Sequence, residues 1–225
     1  MTDLPLWFSI AFVLLTFFTV WMFYRATKNR LWLGLTLLIM ALQAGLASAG
    51  FFLDSQAVPP RIAFLLVPNV LLIVLVFFTK QGKATLNRID PVAYTYLHTV
   101  RVPVEFSILM LFLYGYMPES MSFEGRNFDI LSGLTAPFIA YYGYTKGKLS
   151  NKTLMAWEVI CLLLVLQVVV TGIFSAPSPV QQIEFEQPNN GILYFPFVWL
   201  PGIIVPMVIF GHIAAIRRLR KGMKL

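Results

Sequence analysis

Seven apolar stretches alternate with short polar connections along the chain, at approximately 5–24, 31–53, 61–79, 92–116, 129–145, 153–175 and 194–216. Each is near the twenty or so residues that an α-helix needs to cross a hydrocarbon core. The fifth is the shortest and least hydrophobic. The pattern predicts an all-α polytopic membrane protein, a single seven-helix transmembrane bundle over residues 1–225. One acid, Asp3, and no base precede the first stretch, the wrong charge for a cleavable signal peptide, so that stretch is expected to be retained.

The basic residues orient this bundle. Of 17 Lys and Arg, 14 lie in alternate connections: Arg25, Lys28 and Arg30; Lys80, Lys83 and Arg88; Lys146, Lys148 and Lys152; and Arg217, Arg218, Arg220, Lys221 and Lys224. The other connections hold only Arg61 and Arg126, amid seven acids. Lys and Arg resist translocation, so the rich side is expected to be cytoplasmic, with the N-terminus out and the C-terminus in. Removing one helix would scramble the alternation. The C-terminal RRLRKGMKL reads as part of this signal, drawn to anionic headgroups, and does not predict nucleic-acid binding. Composition agrees: 58% of residues are hydrophobic and 12% charged, too little polar surface for a water-soluble globule. The expected setting is a bacterial inner membrane. The single Cys161 permits no internal disulfide and reads as a small buried hydrophobe.

Ionisable side chains are costly inside a bilayer and so mark candidate sites. YTYLHTVRVPVEF in the fourth stretch spaces Tyr94, His98, Arg101 and Glu105 by four, three and four residues, one face of a helix. Arg101 and Glu105 are placed to pair, and Pro103 between them predicts a kink and a freed carbonyl. The face is expected to point into the bundle, as a ligand or proton site or as an ion pair that fixes packing. By depth, Glu158 and His212 join His98 and Arg101, whereas Asn69 and Gln43 lie nearer mid-membrane with Glu105. Gln167, nine residues after Glu158, faces away from it.

Further features modify this picture. Pro196, Pro201 and Pro206 predict a broken seventh helix of the kind that lines transport sites. Ala41, Gly45 and Ala49 predict a close-packing face on the second helix. SFEGRNFD supplies Glu124, Arg126, Asn127 and Asp129, and APSPVQQIEFEQPNNG supplies Gln182 and Glu186; together they make a candidate polar site in the outer loops, or a pair of solvated connectors. His98 and His212 allow haem ligation on chemistry alone. No metal site is expected from two histidines without an HExxH pair.

Seven helices in this orientation invite comparison with rhodopsins, G-protein-coupled receptors and seven-helix sugar facilitators. No lysine lies in helix 7 for a retinal Schiff base, and DRY, NPxxY and PQ motifs are missing. The combination HTVRVPVEF, FEGRNFDILSGLTAP and LYFPFVWLP resembles an uncharacterised family of bacterial seven-helix integral membrane proteins, over the chain from about helix 4 onward. That resemblance implies no known activity. The residues therefore support a small-solute or proton-coupled transporter, with a receptor-like ligand sensor or an intramembrane enzyme acting on a lipid or isoprenoid as alternatives. The expected partners are the bilayer and a small molecule or proton.

Overall fold

The computed structural model describes residues 3–222, so Lys224 lies outside the described residues. Helices account for nearly all regular structure, and no strand occurs among the described residues. The first two helices, α1 (Leu6–Thr27) and α2 (Arg30–Ser48), are joined by a two-residue turn. Lys28 takes the left-handed conformation and donates its N–H to the Tyr24 carbonyl, closing α1. Asn29 then caps α2, its side chain accepting from the N–H groups of Leu31 and Trp32.

α2 stops at Ser48, earlier than the apolar pattern suggests, because Gly50 turns the chain at φ 71°. Its buried residues are Met40, Gln43 and Ala47. Ala41, Gly45 and Ala49 face outward, so the expected small-residue packing face is not used within this chain.

α3 (Ala63–Phe78) is followed by α4 (Lys80–Arg88), a basic helix bent 87° away from it. Extended backbone at Thr79 makes the bend, and its hydroxyl caps α4 at the Gly82 N–H. A Cβ on Gly82 would collide with the backbone of Val76, so the corner requires glycine. The apolar pattern leaves these nine residues, with their three bases, as a connection, and the structure makes them a helix.

The next span is continuous but not uniform. α5 (Pro91–Leu97) passes through a 3-10 turn, His98–Val100, into α6 (Arg101–Leu113). The tighter turn sits just before Pro103, which cannot donate to the preceding turn. α7 (Ile130–Phe138) likewise continues as a π-helical segment, Ile139–Thr145, beyond Pro137. α8 (Asn151–Ser175) is the longest helix, capped by Ser150. The final span begins as a π-helical segment, Leu200–Ile204, and continues as α9 (Val205–Arg220). Residues 194–198, expected to be helical, form a bend and turns instead, as Pro196 and Pro201 remove two backbone donors from this region.

Five of these helices are long and apolar enough to cross a membrane, and six if the bent α3–α4 pair counts as one span. The remaining apolar stretch consists of two short pieces, of nine and seven residues. A large apolar core joins α1, α5, α6 and α9, with Phe8, Phe12 and Phe197 packed ring against ring.

Candidate functional site

The break at His98–Val100 positions the site. It keeps Tyr94, His98, Arg101 and Glu105 on the buried side of the span, all under 5% exposed. Arg101 is the hub. Its Nε donates to Asp129 Oδ2 at 2.6 Å, its Nη2 pairs with Asp129 Oδ1, and Nη2 also donates to the Cys161 carbonyl at 3.2 Å. Nη1 lies 2.9 Å from His212 Nε2. Close approach of α7 makes this possible: a Cβ on Gly133 would meet the Val102 backbone nitrogen at 2.9 Å and Arg101 Cβ at 3.2 Å.

The expected Arg101–Glu105 pair does not form. Asp129 takes the guanidinium because it meets it from the start of α7 at close range, while Glu105 Oε2 accepts from Asn127 Nδ2 at 2.7 Å. Asn127 ties these halves together. Its Nδ2 also donates to the Met121 carbonyl at 2.8 Å, and its Oδ1 accepts the Asp129 N–H at 2.9 Å.

The hydrogen bonds assign the histidine tautomer. A guanidinium only donates, so His212 Nε2 must accept and the ring proton sits on Nδ1. That Nδ1–H donates to Glu158 Oε2 at 2.6 Å, and the Tyr144 hydroxyl donates to Glu158 Oε1 at 3.2 Å. His212 is therefore neutral in this arrangement. His98 stacks on it with ring centroids 4.0 Å apart and planes within 13°, and Trp157 packs edge-on near both rings.

Electrostatics follow from a count. Asp129, Glu105 and Glu158 are three buried carboxylates facing one guanidinium, so full ionisation would leave two uncompensated negative charges. An unpaired charge in so dry a place costs several kcal/mol. The cluster is consequently built to hold protons or cations in addition to Arg101.

Two small cavities touch its ends. One of about 60 Å³ is bordered by Glu105, Asp129 and Asn189. Another, of about 20 Å³, is bordered by His98, Glu158 and Arg218, at the basic end of the bundle. These are room for a few waters and for about one.

Other expected residues lie elsewhere. Tyr94 spends its hydroxyl on the Met207 carbonyl, at 2.6 Å, and braces α9 where Gly211 lets the ring approach. Asn69 bonds back to the Leu65 carbonyl of its own helix and borders a separate apolar cavity of about 110 Å³. The outer-loop group is divided. Asn127 and Asp129 are buried in the cluster, whereas Glu124, Arg126, Gln182 and Glu186 are exposed, so the six do not form one site. Gln167 faces away from the cluster as expected, donating to the Arg126 carbonyl at 3.0 Å.

Haem ligation by His98 and His212 does not fit. Rings in direct face-to-face contact leave no space for a macrocycle between them. Glu158 brings a third ligand atom to the two histidines, all within 4.8 Å of one another. Nearly parallel imidazoles nevertheless aim their in-plane lone pairs alongside one another, and one of the three groups faces the Arg101 cation. The set suits hydrogen-bond relay better than a metal ion.

Tyr144 and Trp157 were not singled out by the sequence, since Tyr144 lies in an apolar run ending the fifth stretch and Trp157 is uncharged; Asn189 belongs to the polar loop APSPVQQIEFEQPNNG already read as a candidate outer site.

A family model described as a domain of unknown function, DUF8737, matches residues 59–220. No curated protein and no solved structure matches the chain.

Proposed function

We propose, for a chain that belongs to the DUF8737 family, that it is a single-domain, seven-span protein of the bacterial inner membrane that couples transport of a small solute to protons. The N-terminus lies outside and the basic turns lie in the cytoplasm, as the distribution of Lys and Arg favours. On this reading α7 and its π-helical continuation make the fifth span, and α4 lies along the inner membrane surface.

One observation carries the reading: an unbroken series of polar contacts runs Glu105–Asn127–Asp129–Arg101–His212–Glu158–Tyr144, five of them between side chains and one from the Asp129 backbone N–H to Asn127, with a cavity at either end. A structural ion pair would need only Arg101 and Asp129. The excess carboxylates give protons places to reside, and Arg101 controls passage between them. While it contacts Nε2, His212 cannot accept a second proton. When it withdraws, His212 can take one at Nε2 and pass the Nδ1 proton to Glu158. Proton movement is thereby tied to displacement of a side chain that holds α6, α7, α8 and α9 together. The broken helix at Leu200–Ile204 supplies a place for that movement.

The test is proton flux in proteoliposomes containing a pH-sensitive dye, driven by a pH gradient with valinomycin and potassium to clamp the potential. Flux is expected from the wild type, and a loss of tenfold or more from Glu158→Gln and from His212→Gln. Wild-type flux no greater than that of empty liposomes, or full flux in both variants, would remove the proposed path.

A further inference from the structure

We propose that the cavity at Glu105 is a monovalent cation site, with oxygens of Glu105, Asp129 and Asn189 as ligands, where the cation and a proton compete for Glu105. The proposal rests on the ion-coupled reading above and names the second ion.

Asn189 is the independent observation. It is fully buried, and its Oδ1 has no hydrogen-bond partner. An acceptor left unsatisfied among apolar side chains is destabilising by about 1–3 kcal/mol. The residue is not loosely placed. Its N–H donates to the Ser175 carbonyl at 2.9 Å, its Nδ2 to the Gly172 carbonyl at 3.4 Å, and Gly172 presents no Cβ to the amide. Asn189 thus borders the same cavity as two carboxylates that come from other elements, α6 and the residue preceding α7.

Every polar group offered there is an acceptor, and the remaining wall is apolar, with Val104, Ile108, Val165 and Leu200 among its residues. Such a lining rejects anions and favours a cation or a compact donor. The volume, about 60 Å³, admits an alkali cation with one or two waters. Charge selects the valence. Arg101 already neutralises Asp129, so the site offers the single negative charge of Glu105, which one monovalent cation or one proton balances.

The charged groups facing Glu105 are Arg101 from its own span, Asp129 ahead of α7 and, beyond the guanidinium, Glu158 from α8. α9 contributes only His212, neutral while Arg101 contacts it. The π-helical Leu200–Ile204, interrupted by Pro201 and followed by Pro206, flanks the cavity, and such segments supply carbonyl oxygens to cations in broken-helix transporters. Binding there would release a proton from Glu105, giving cation–proton exchange.

The experiment uses the full chain in detergent, comparing NaCl and KCl with choline chloride at equal ionic strength by thermal unfolding and by proton release in weak buffer. NaCl is expected to raise Tm above the choline control, by an amount that shrinks as pH falls, and to release protons. Glu105→Gln should abolish both responses, and Asn189→Ala should raise the half-saturating Na+ concentration roughly tenfold. Equal behaviour in all three salts would overturn the site, as would a sodium response unchanged in both variants. If Glu105→Gln does not fold, the Asn189→Ala titration and wild-type proton release decide alone. Proton flux without any sodium response would leave the relay standing and remove only this cation site.

Discussion

Arg101 Nη1 and His212 Nε2 lie 2.9 Å apart, one group able only to donate and the other thereby obliged to accept. This contact holds the imidazole neutral with its proton on Nδ1, directed at Glu158. ¹⁵N-histidine NMR in nanodiscs should show His212 as the neutral Nδ1–H tautomer at about pH 7. Pairing Arg101→Gln with Asp129→Asn removes the lock without leaving either charge alone. In that double variant the Nδ1–H preference should be lost, with Nε2 free to carry a proton. A doubly protonated His212 in the wild type near pH 7 would contradict the relay.

Much of this arrangement was legible in the sequence, for a physical reason. Buried ionisable residues are rare in apolar helices, so His98, Arg101, Glu105, Glu158 and His212 stood out, and helical spacing placed the residues of the fourth apolar stretch on one face. Pairing was not legible. Arg101 and Glu105 are correctly spaced to meet, but Asp129 arrives from another helix and wins the guanidinium. Spacing reports neighbours along one helix only. The loop polar residues also looked alike until the turn at 122–127, where Asn127 and Gly125 donate to the Ser122 carbonyl, turned Asn127 inward and left Glu124 and Arg126 outside.

Asp129 and Arg101 form a buried pair, so the cost of disrupting it depends on which charge is left behind. Asp129→Ala should destabilise by about 3–5 kcal/mol, because the guanidinium loses its partner in a dry surrounding. Arg101→Met combined with Asp129→Leu should recover much of that loss. Denaturant or thermal unfolding in a single detergent gives the comparison. Equal destabilisation by the single and double changes would mean that packing, and not charge, dominates there.

Gly133 and Gly211 act on opposite sides of the cluster. A side chain on Gly133 would press on Val102 and Arg101, and one on Gly211 would enter the Tyr94 ring. Valine at either position is expected to cost about 1–3 kcal/mol by overpacking. Gly133→Val should also reduce proton flux, by moving α7 and Asp129 off Arg101. Conversely, Tyr94→Phe keeps the ring and loses only the bond to the Met207 carbonyl, so flux should persist with a modest drop in Tm. Loss of flux in Tyr94→Phe at unchanged stability would bring Tyr94 into the relay.

Cys161 is buried, which makes the chain nearly free of reactive thiols and open to single-cysteine mapping. Lys148 lies in the basic connection between the π-helical Ile139–Thr145 and α8, and Glu186 lies exposed in the loop between α8 and α9. The charge distribution predicts that Lys148→Cys is protected from a membrane-impermeant maleimide in intact cells and is labelled after permeabilisation, while Glu186→Cys reacts in intact cells. The two positions flank α8, so they must report opposite sides if that helix spans. Labelling of Lys148→Cys from outside would invert the orientation, and with it the side from which protons reach Glu105. Labelling of both from one side would mean that α8 does not cross, leaving its Glu158 no path between two aqueous phases.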